Sequence, residues 1–306
     1  MRTLLPNRKN LLLPIAALAC IWPVAAKPDE PHSWASTQTI RKKEDVLTVV
    51  EKMSANMNDA VSIKIKGKLT PKDIFEDLNR KYYFDYATAY WYYYGSGPIK
   101  FIIKPADNAV LAAAFHKRTL KKKLTDAEAQ ALQVATDCIN RTISKTMTRQ
   151  EKVLALHDAI AEMCNYDYAN TENQSCVSVL LDGKGACGAY ARTLWLMLNM
   201  IDIPCHIIQG SNNDANQSPH AWALVQMDGN AWYHVDVCKD DSNHSLTHRL
   251  FAVTDEEMAK FHHWDKAAYP ATPVKSRKQN TSANTSSITI EQASPTESPR
   301  KASSRR

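Results

Sequence analysis

The chain lacks several features that would each announce a class of protein. Beyond the first 26 residues no apolar run is long enough to cross a bilayer, so no stable membrane span is expected in the body of the chain. No internal repeat is visible, which removes solenoids and repeat arrays. No paired C-x-x-C spacing links Cys187, Cys205, His220 and Cys238, so a zinc site built on them is not expected and no cofactor is implied. The body also lacks an excess of positive charge. Of the net +6 on 306 residues, residues 1–26 carry +3 and residues 271–306 carry +5, which leaves −2 for everything between. A polyanion would meet no attracting field there, so nucleic acid is not an expected partner. The basic run Lys117, Arg118, Lys121, Lys122 and Lys123 reads as a solvated face ahead of a helix.

What is present begins with an exported look. Arg2, Arg8 and Lys9 precede an apolar run from Leu11 to Trp22, and Val24-Ala25-Ala26 offers small residues for cleavage. Residues 1–26 are therefore expected to be a signal peptide, and the protein to be secreted or periplasmic. A lipoprotein anchored at Cys20 is the less favoured alternative, because in Ala17-Leu18-Ala19 before it the usual Leu is absent from the first position. Hydrophobic content of 44% is ordinary for a globular chain and leaves ample material for a core. Seven cysteines include Cys20, within the leader, and Cys187, which the chemistry below claims; the remaining five cannot all pair. A bridge between Cys164 and Cys176, which flank one loop, competes with the reading that all five are small buried residues.

Periodicity organises the rest into an α+β chain. Helices are expected over about 40–58 and 71–82, a strand at VSIKIKG, an aromatic strand from Tyr90 to Tyr94, and a small antiparallel sheet pairing IKFIIK with AVLAAAFHK. Helices over 126–144 and 149–163 follow, the first with Thr125 and Glu128 as a capping box. The tail over 271–306, rich in Ser, Thr, Asn and basic residues, has almost nothing to bury and is expected to be disordered. The domains expected are thus residues 27–144, an α+β region, and residues 145–270, which carry the chemistry.

That chemistry lies in three phrases: GKGACGAYA around Cys187, SPHAWALV around His220 and WYHVDV around Asp236. A thiolate attacks far better than a thiol, so a nucleophilic cysteine needs a lowered pKa, a base and an approachable position. Gly183, Gly185 and Gly188 bracket Cys187, and Tyr190, Ala191, Leu194, Met197, Leu198 and Ile201 then recur at helical spacing. This places Cys187 at a helix N-terminus, where the dipole and free N–H groups favour negative charge on sulfur and on an adjacent oxyanion. The two later phrases read as a hairpin around Asp228-Gly229. A two-residue loop would pair Met227 with Asn230, set His220 opposite Val237 and turn Asp236 to the other face. A three-residue loop pairs Met227 with Ala231 and brings His220 and Asp236 to one face.

The three phrases in this order, from about Thr148 to Pro270, resemble the transglutaminase-like superfamily, with its G-x-C-x-x-Y-A helix start, H-A-W strand and Y-H-V-D strand. EKVLALHDAIAEMCNYDY resembles the segment before the cysteine in bacterial members, and LFAVTDEEMAKFHHWDKAAYP the segment after the third strand. The resemblance implies a papain-like core in which a helix bearing Cys187 packs on an antiparallel sheet bearing His220 and Asp236. It further implies Cys187 as nucleophile, His220 as base and then acid, and Asp236 as the group that orients His220. Tyr166 or Tyr168, from the Tyr-Asp-Tyr phrase, is the expected second oxyanion donor, and His262-His263-Trp264 is read as packing after the core. Many relatives carry Thr-Trp-Asp-Asp where this chain has Cys238-Lys239-Asp240-Asp241, and Asn where it has Ala223, which alters the rim of the site. The function expected is an exported cysteine peptidase or amidohydrolase that works on protein or peptide substrates through a thioester. A protein-glutamine acyltransferase and a noncatalytic binding module on the same fold are the alternatives.

Overall fold

A computed structural model of the chain describes residues 11–13, 35–42, 45, 60–66, 85, 87–94, 99–118, 123–242 and 245–273. Most of residues 1–26, all but residues 40–42 and 45 of the helix expected over 40–58, the helix expected over 71–82, Lys121, Lys122 and the residues beyond 273 lie outside these residues.

Strands β1 (Leu11–Leu13), β2 (Ala35–Ile40), β3 (Ala60–Ile65), β4 (Ala87–Tyr94) and β5 (Ile99–Pro105) form one sheet in the order β1-β4-β5-β3-β2, antiparallel except for β2 on β3. IKFIIK therefore pairs with the aromatic strand, Trp91 opposite Ile102, and with β3. Its expected partner AVLAAAFHK is instead helix α1 (Asp107–Phe115). The physical reason is compositional: a continuous apolar run has no period to separate strand from helix, and alanine has the highest helix propensity. Ala109, Leu111, Ala112 and Ala113 are all buried, and Asp107 accepts from Ser175 Oγ at 2.5 Å.

Helix α2 (Asp126–Thr142) starts at the expected capping box, with Glu128 N–H on Thr125 Oγ1 at 3.2 Å and Thr125 N–H on Glu128 Oε2 at 2.8 Å. Helix α3 (Arg149–Met163) has a second box, Thr148 with Glu151, and a longer-range cap in which Asp228 accepts from the N–H groups of Arg149 and Gln150 at 3.0 and 2.9 Å. Two short strands, β6 (Asn165–Tyr166) and β7 (Lys184–Gly185), pair in parallel across helix α4 (Cys176–Asp182). The expected bridge between Cys164 and Cys176 is not formed. Each is a free, buried thiol packed among apolar side chains, the alternative the composition left open.

Helix α5 (Cys187–Met200) is the centre of the core. It is buried on nearly every side, as its almost uniformly apolar sequence requires. Leu194, Leu196, Met197 and Leu198 are fully enclosed, and truncating one such side chain to Ala would cost about 2–5 kcal/mol. One side of α5 meets α1, α3 and α4; the other lies on a second sheet made by β8 (Cys205–Asn212), β9 (Pro219–Gln226), β10 (Trp232–Val235), β13 (Phe251–Val253) and β14 (His262–His263). The order is β13-β10-β9-β8-β14, antiparallel throughout. Between β10 and β13 stand a one-turn helix α6 (Val237–Asp240) and the small pair β11 (Asp241–Ser242) and β12 (Ser245–Leu246). Alternation divides β9: Ala221, Ala223 and Val225 join the core shared with α5, while Trp222 and Leu224 join a second cluster with Ile208, Leu250 and Met258. The last described α-helix, α7 (Asp255–Met258), is tied to the stretch just beyond Pro270, since Asp255 N–H donates to the buried Thr272 Oγ1. The ordered body thus extends past Pro270.

Candidate functional site

The loop between β9 and β10 decides the site. Trp232 stands opposite Gln226, Tyr233 opposite Val225, His234 opposite Leu224 and Val235 opposite Ala223, and Met227 N–H closes on Ala231 C=O at 2.8 Å. The turn is therefore the three-residue one, Asp228–Asn230, with Gly229 at φ 70° and Asn230 at φ 59°. Glycine adopts that backbone without strain, and Asn is among the few other residues that tolerate it. In this register His220, Trp222, His234 and Asp236 share one face of the sheet.

Asp236 follows β10 immediately. Its Oδ1 accepts from Lys239 N–H at 3.1 Å, which makes it the cap of α6, and its Oδ2 accepts from His220 Nε2 at 2.7 Å. Cys187 arrives from the other face at the N-terminus of α5, where the His220 imidazole and Ala221 N–H both act on its sulfur. Gly185 permits the approach: a Cβ there would lie 2.5 Å from the Ala189 Cβ and 3.0 Å from Val179. With Nε2 on the carboxylate, His220 presents Nδ1 to sulfur. Thiol, imidazole and carboxylate are thus in line, all three side chains buried.

The electrostatics follow from that order. Burial works against a charge on His220, but the Asp236 carboxylate and the Cys187 sulfur outweigh it and raise the imidazole to about 9. Burial likewise opposes the Cys187 thiolate, yet the His220 hydrogen bond and charge, with Ala221 N–H, hold the thiol below its ordinary value. Burial would push the Asp236 carboxyl up; His220 and then His262 pull it below the usual carboxylate range. Cys164, Cys176, Cys205 and Cys238 move the other way, each driven up first by burial. Identical thiols are separated by whether an imidazolium faces them.

His262 belongs to this array, although the sequence reading placed it in packing. Its Nε2 donates to the same Asp236 Oδ2 at 3.0 Å, and its ring stacks on His220 and on Trp222, both at 4.7 Å between centroids. Burial keeps His262 neutral by lowering its pKa, and its Nδ1 is enclosed without a hydrogen-bond partner. Its only sequence signal was a histidine pair after the third strand, and nothing in that spacing pointed to Asp236. Behind it, Trp222 Nε1 donates to His234 Nδ1 at 3.0 Å, and His234 Nε2 to Asp255 at 2.8 Å, which fixes the indole against the two imidazoles. A cavity of about 280 Å³ opens on the outer side of His262, lined by Lys239, Arg249, Lys260 and Phe261 among others.

The tyrosines part company. The β6–β7 pairing sets Tyr166 opposite Gly185, two residues before Cys187, whereas the Tyr168 side chain is 81% exposed. Burial, then the charges on Cys187 and Cys238, push the Tyr166 hydroxyl up to about 12, so it stays a proton donor. Among the described residues two clusters offer three ligand atoms within 4.8 Å of one another: His220, Asp236 and His262, and, apart from the thiol, His157, Asp158 and His248. In the first, His220 is already engaged by sulfur, which suits it to proton transfer.

A helix carrying a thiol, packed on an antiparallel sheet carrying the imidazole and carboxylate, defines the papain-like α+β class. The family model of the transglutaminase-like superfamily matches residues 136–237, about a third of the chain, and that stretch contains Cys187, His220 and Asp236. No curated protein sequence matches the chain. Among solved structures it is similar to a Cytophaga hutchinsonii protein provisionally described as a cysteine protease, with TM-score 0.31 and 22% identity over 35% of this chain and 37% of that one. It is also similar to a TGase, with TM-score 0.31 and 16% identity over 66% and 59%, and to Legionella pneumophila LapG, with TM-score 0.29 and 13% identity over 43% and 72%. The chain therefore spans 37% and 59% of the length of the first two, less than two thirds of either. Among the described residues no helix is long and apolar enough to cross a membrane.

Proposed function

We propose that this chain is an exported cysteine peptidase or amidohydrolase of the transglutaminase-like class. The observation that carries the reading is the in-line array in which His220 bonds Asp236 at 2.7 Å and lowers the thiol of Cys187 while neighbouring cysteines go up. The Cys187 thiolate attacks the carbonyl carbon of an amide, forming a C–S bond and moving the C=O π electrons onto oxygen. The helix N-terminus and the Tyr166 hydroxyl stabilise that oxyanion. Collapse breaks the C–N bond as His220 gives its proton to the departing amine. Water then adds to the thioester while His220 takes its proton, and the C–S bond breaks to return the thiolate. An amine in place of water would make the same site an acyltransferase. Asp236 stays ionised throughout, steadied by Lys239 N–H and by His262.

The test is alkylation of the intact protein with iodoacetamide at pH 6, read by peptide mass spectrometry. Cys187 is expected to label far faster than Cys138, Cys164, Cys176, Cys205 and Cys238, and equal labelling overturns the proposal. Profiling peptide cleavage against incorporation of a labelled amine then separates hydrolysis from transfer. Cleavage of the leader after about residue 26, read as the N-terminus of the exported protein, tests export.

A further inference from the structure

At the far end of α6 from Asp236 lies a second imidazole–carboxylate cluster that the proposed chemistry does not use. His157, fully buried in α3, has Nδ1 at 2.8 Å from Asp158 Oδ1 and Nε2 at 3.3 Å from Asp240 Oδ2. His248 Nε2 reaches the same Asp158 Oδ1 at 2.7 Å. An imidazole with one proton can donate to one carboxylate only. If His157 serves Asp158, its bare Nε2 lone pair faces the buried Asp240; if it serves Asp240, a bare Nδ1 faces Asp158. A cation on the Nδ1 side removes the conflict.

We propose that His157 Nδ1, Asp158 Oδ1 and His248 Nε2 form a binding site for a divalent transition-metal ion of the zinc type. The three atoms lie within 4.8 Å of one another. Metal bonds of about 2.0–2.2 Å to imidazole and carboxylate place neighbouring ligand atoms about 3.4 Å apart in a tetrahedral shell, so the present contacts of 2.7 and 2.8 Å must open somewhat to admit the ion. Two imidazoles and one carboxylate suit zinc-type ions better than calcium, which takes oxygen ligands. With metal on Nδ1, His157 keeps its proton on Nε2, facing Asp240. That carboxylate is itself held by Leu250 N–H at 3.0 and 3.1 Å and by Thr247 Oγ1 at 2.8 Å. This is the outer carboxylate that orients a metal-bound histidine. Phe251 packs against both rings and forms an apolar wall on one side. On the other, Asp158 and His248 are 39% and 46% exposed, so an ion can enter and keep water in its remaining positions. The ion would join α3 to a segment ninety residues away, without touching the thiol.

The experiment titrates the full chain carrying Cys187→Ala, under reducing conditions, with Zn2+ alone, by calorimetry and by melting temperature. One ion per chain and a raised melting temperature are expected. His248→Ala, with His248→Gln as the milder alternative, and Asp158→Asn should each weaken binding by about 10–100-fold or more, the loss seen even for outer partners. His262→Ala should leave binding unchanged. Absence of saturable binding overturns the proposal. Equal affinity in the His248 and Asp158 variants overturns it too, as does loss of binding in His262→Ala alone, which would assign the ion to the cluster beside the thiol.

Discussion

Asp236 and Asp158 each offer one carboxylate oxygen to two imidazoles, but the first cluster is sealed and the second is half open. The decisive difference lies at the second nitrogen of the inner histidine. His220 turns it to a thiol, so the thiol proton can pass to His220 and the carboxylate stabilises the resulting imidazolium. His157 turns it to another carboxylate, Asp240, so its cluster gathers negative charge with no proton acceptor to serve. The same residue types are therefore suited to proton relay in one place and to receiving a cation in the other.

The comparison is broken most severely by the loop. Deleting Ala231 with the three-residue turn kept pairs Met227 with Trp232, slips β10 by one residue and sends Asp236 to the opposite face, so activity should fall to background and Cys187 should label no faster than other cysteines at pH 6. Asp236→Asn is the point version: about 10⁴-fold lower turnover is expected, because Asn can hold the ring but not stabilise its charge. Near-normal melting in that variant keeps the effect chemical. Asp158→Asn should leave turnover unchanged, and a comparable loss there would erase the distinction between the clusters.

A pH profile sharpens the contrast. The leaving amine needs the His220 proton, which is held up to about 9, so kcat/KM should decline as pH rises through that value. In Asp236→Asn the limb should move to lower pH, because the carboxylate is the leading cause that raises His220. A limb left in place would detach Asp236 from the imidazole.

Smaller effects test the supports. His262→Phe keeps the stacked ring but loses its N–H, and should lower turnover about tenfold, the size expected for one charge-assisted hydrogen bond. His262→Gln, which keeps a donor, should recover most of that loss; no recovery would reduce His262 to packing. Smallest is Asp228→Ala, which removes the cap on Arg149 and Gln150 and should cost about 1 kcal/mol in denaturation with no change in Cys187 labelling.

Local chemistry was legible wherever it is written within a few residues. The Thr125–Glu128 box, the start of α3 at Arg149 and the start of α5 at Cys187 were readable because caps and helical periods are short-range signals. The run AVLAAAFHK misled because an apolar stretch without polar punctuation has no period, and only packing under α5 reveals it as a helix. His262 was overlooked because its partner Asp236 is 26 residues away and they meet only through β14 pairing with β8. Likewise Cys164 and Cys176 are close in sequence but pack as separate thiols.

By itself the sequence determined the identities and order of thiol, imidazole and carboxylate, the helix that carries Cys187, and the two registers open to the hairpin. Parity limits a β-hairpin to such alternatives, but loop residues as permissive as Asp228, Gly229 and Asn230 do not choose between them. Tertiary structure made the choice. Asp228 is held on the N-terminus of α3, Asp236 N–H on Leu250 C=O at 3.1 Å and the Asp236 carboxylate under two imidazoles, so only the three-residue turn satisfies all of them. Those partners lie far apart along the chain, and contacts at that distance leave no local pattern to read.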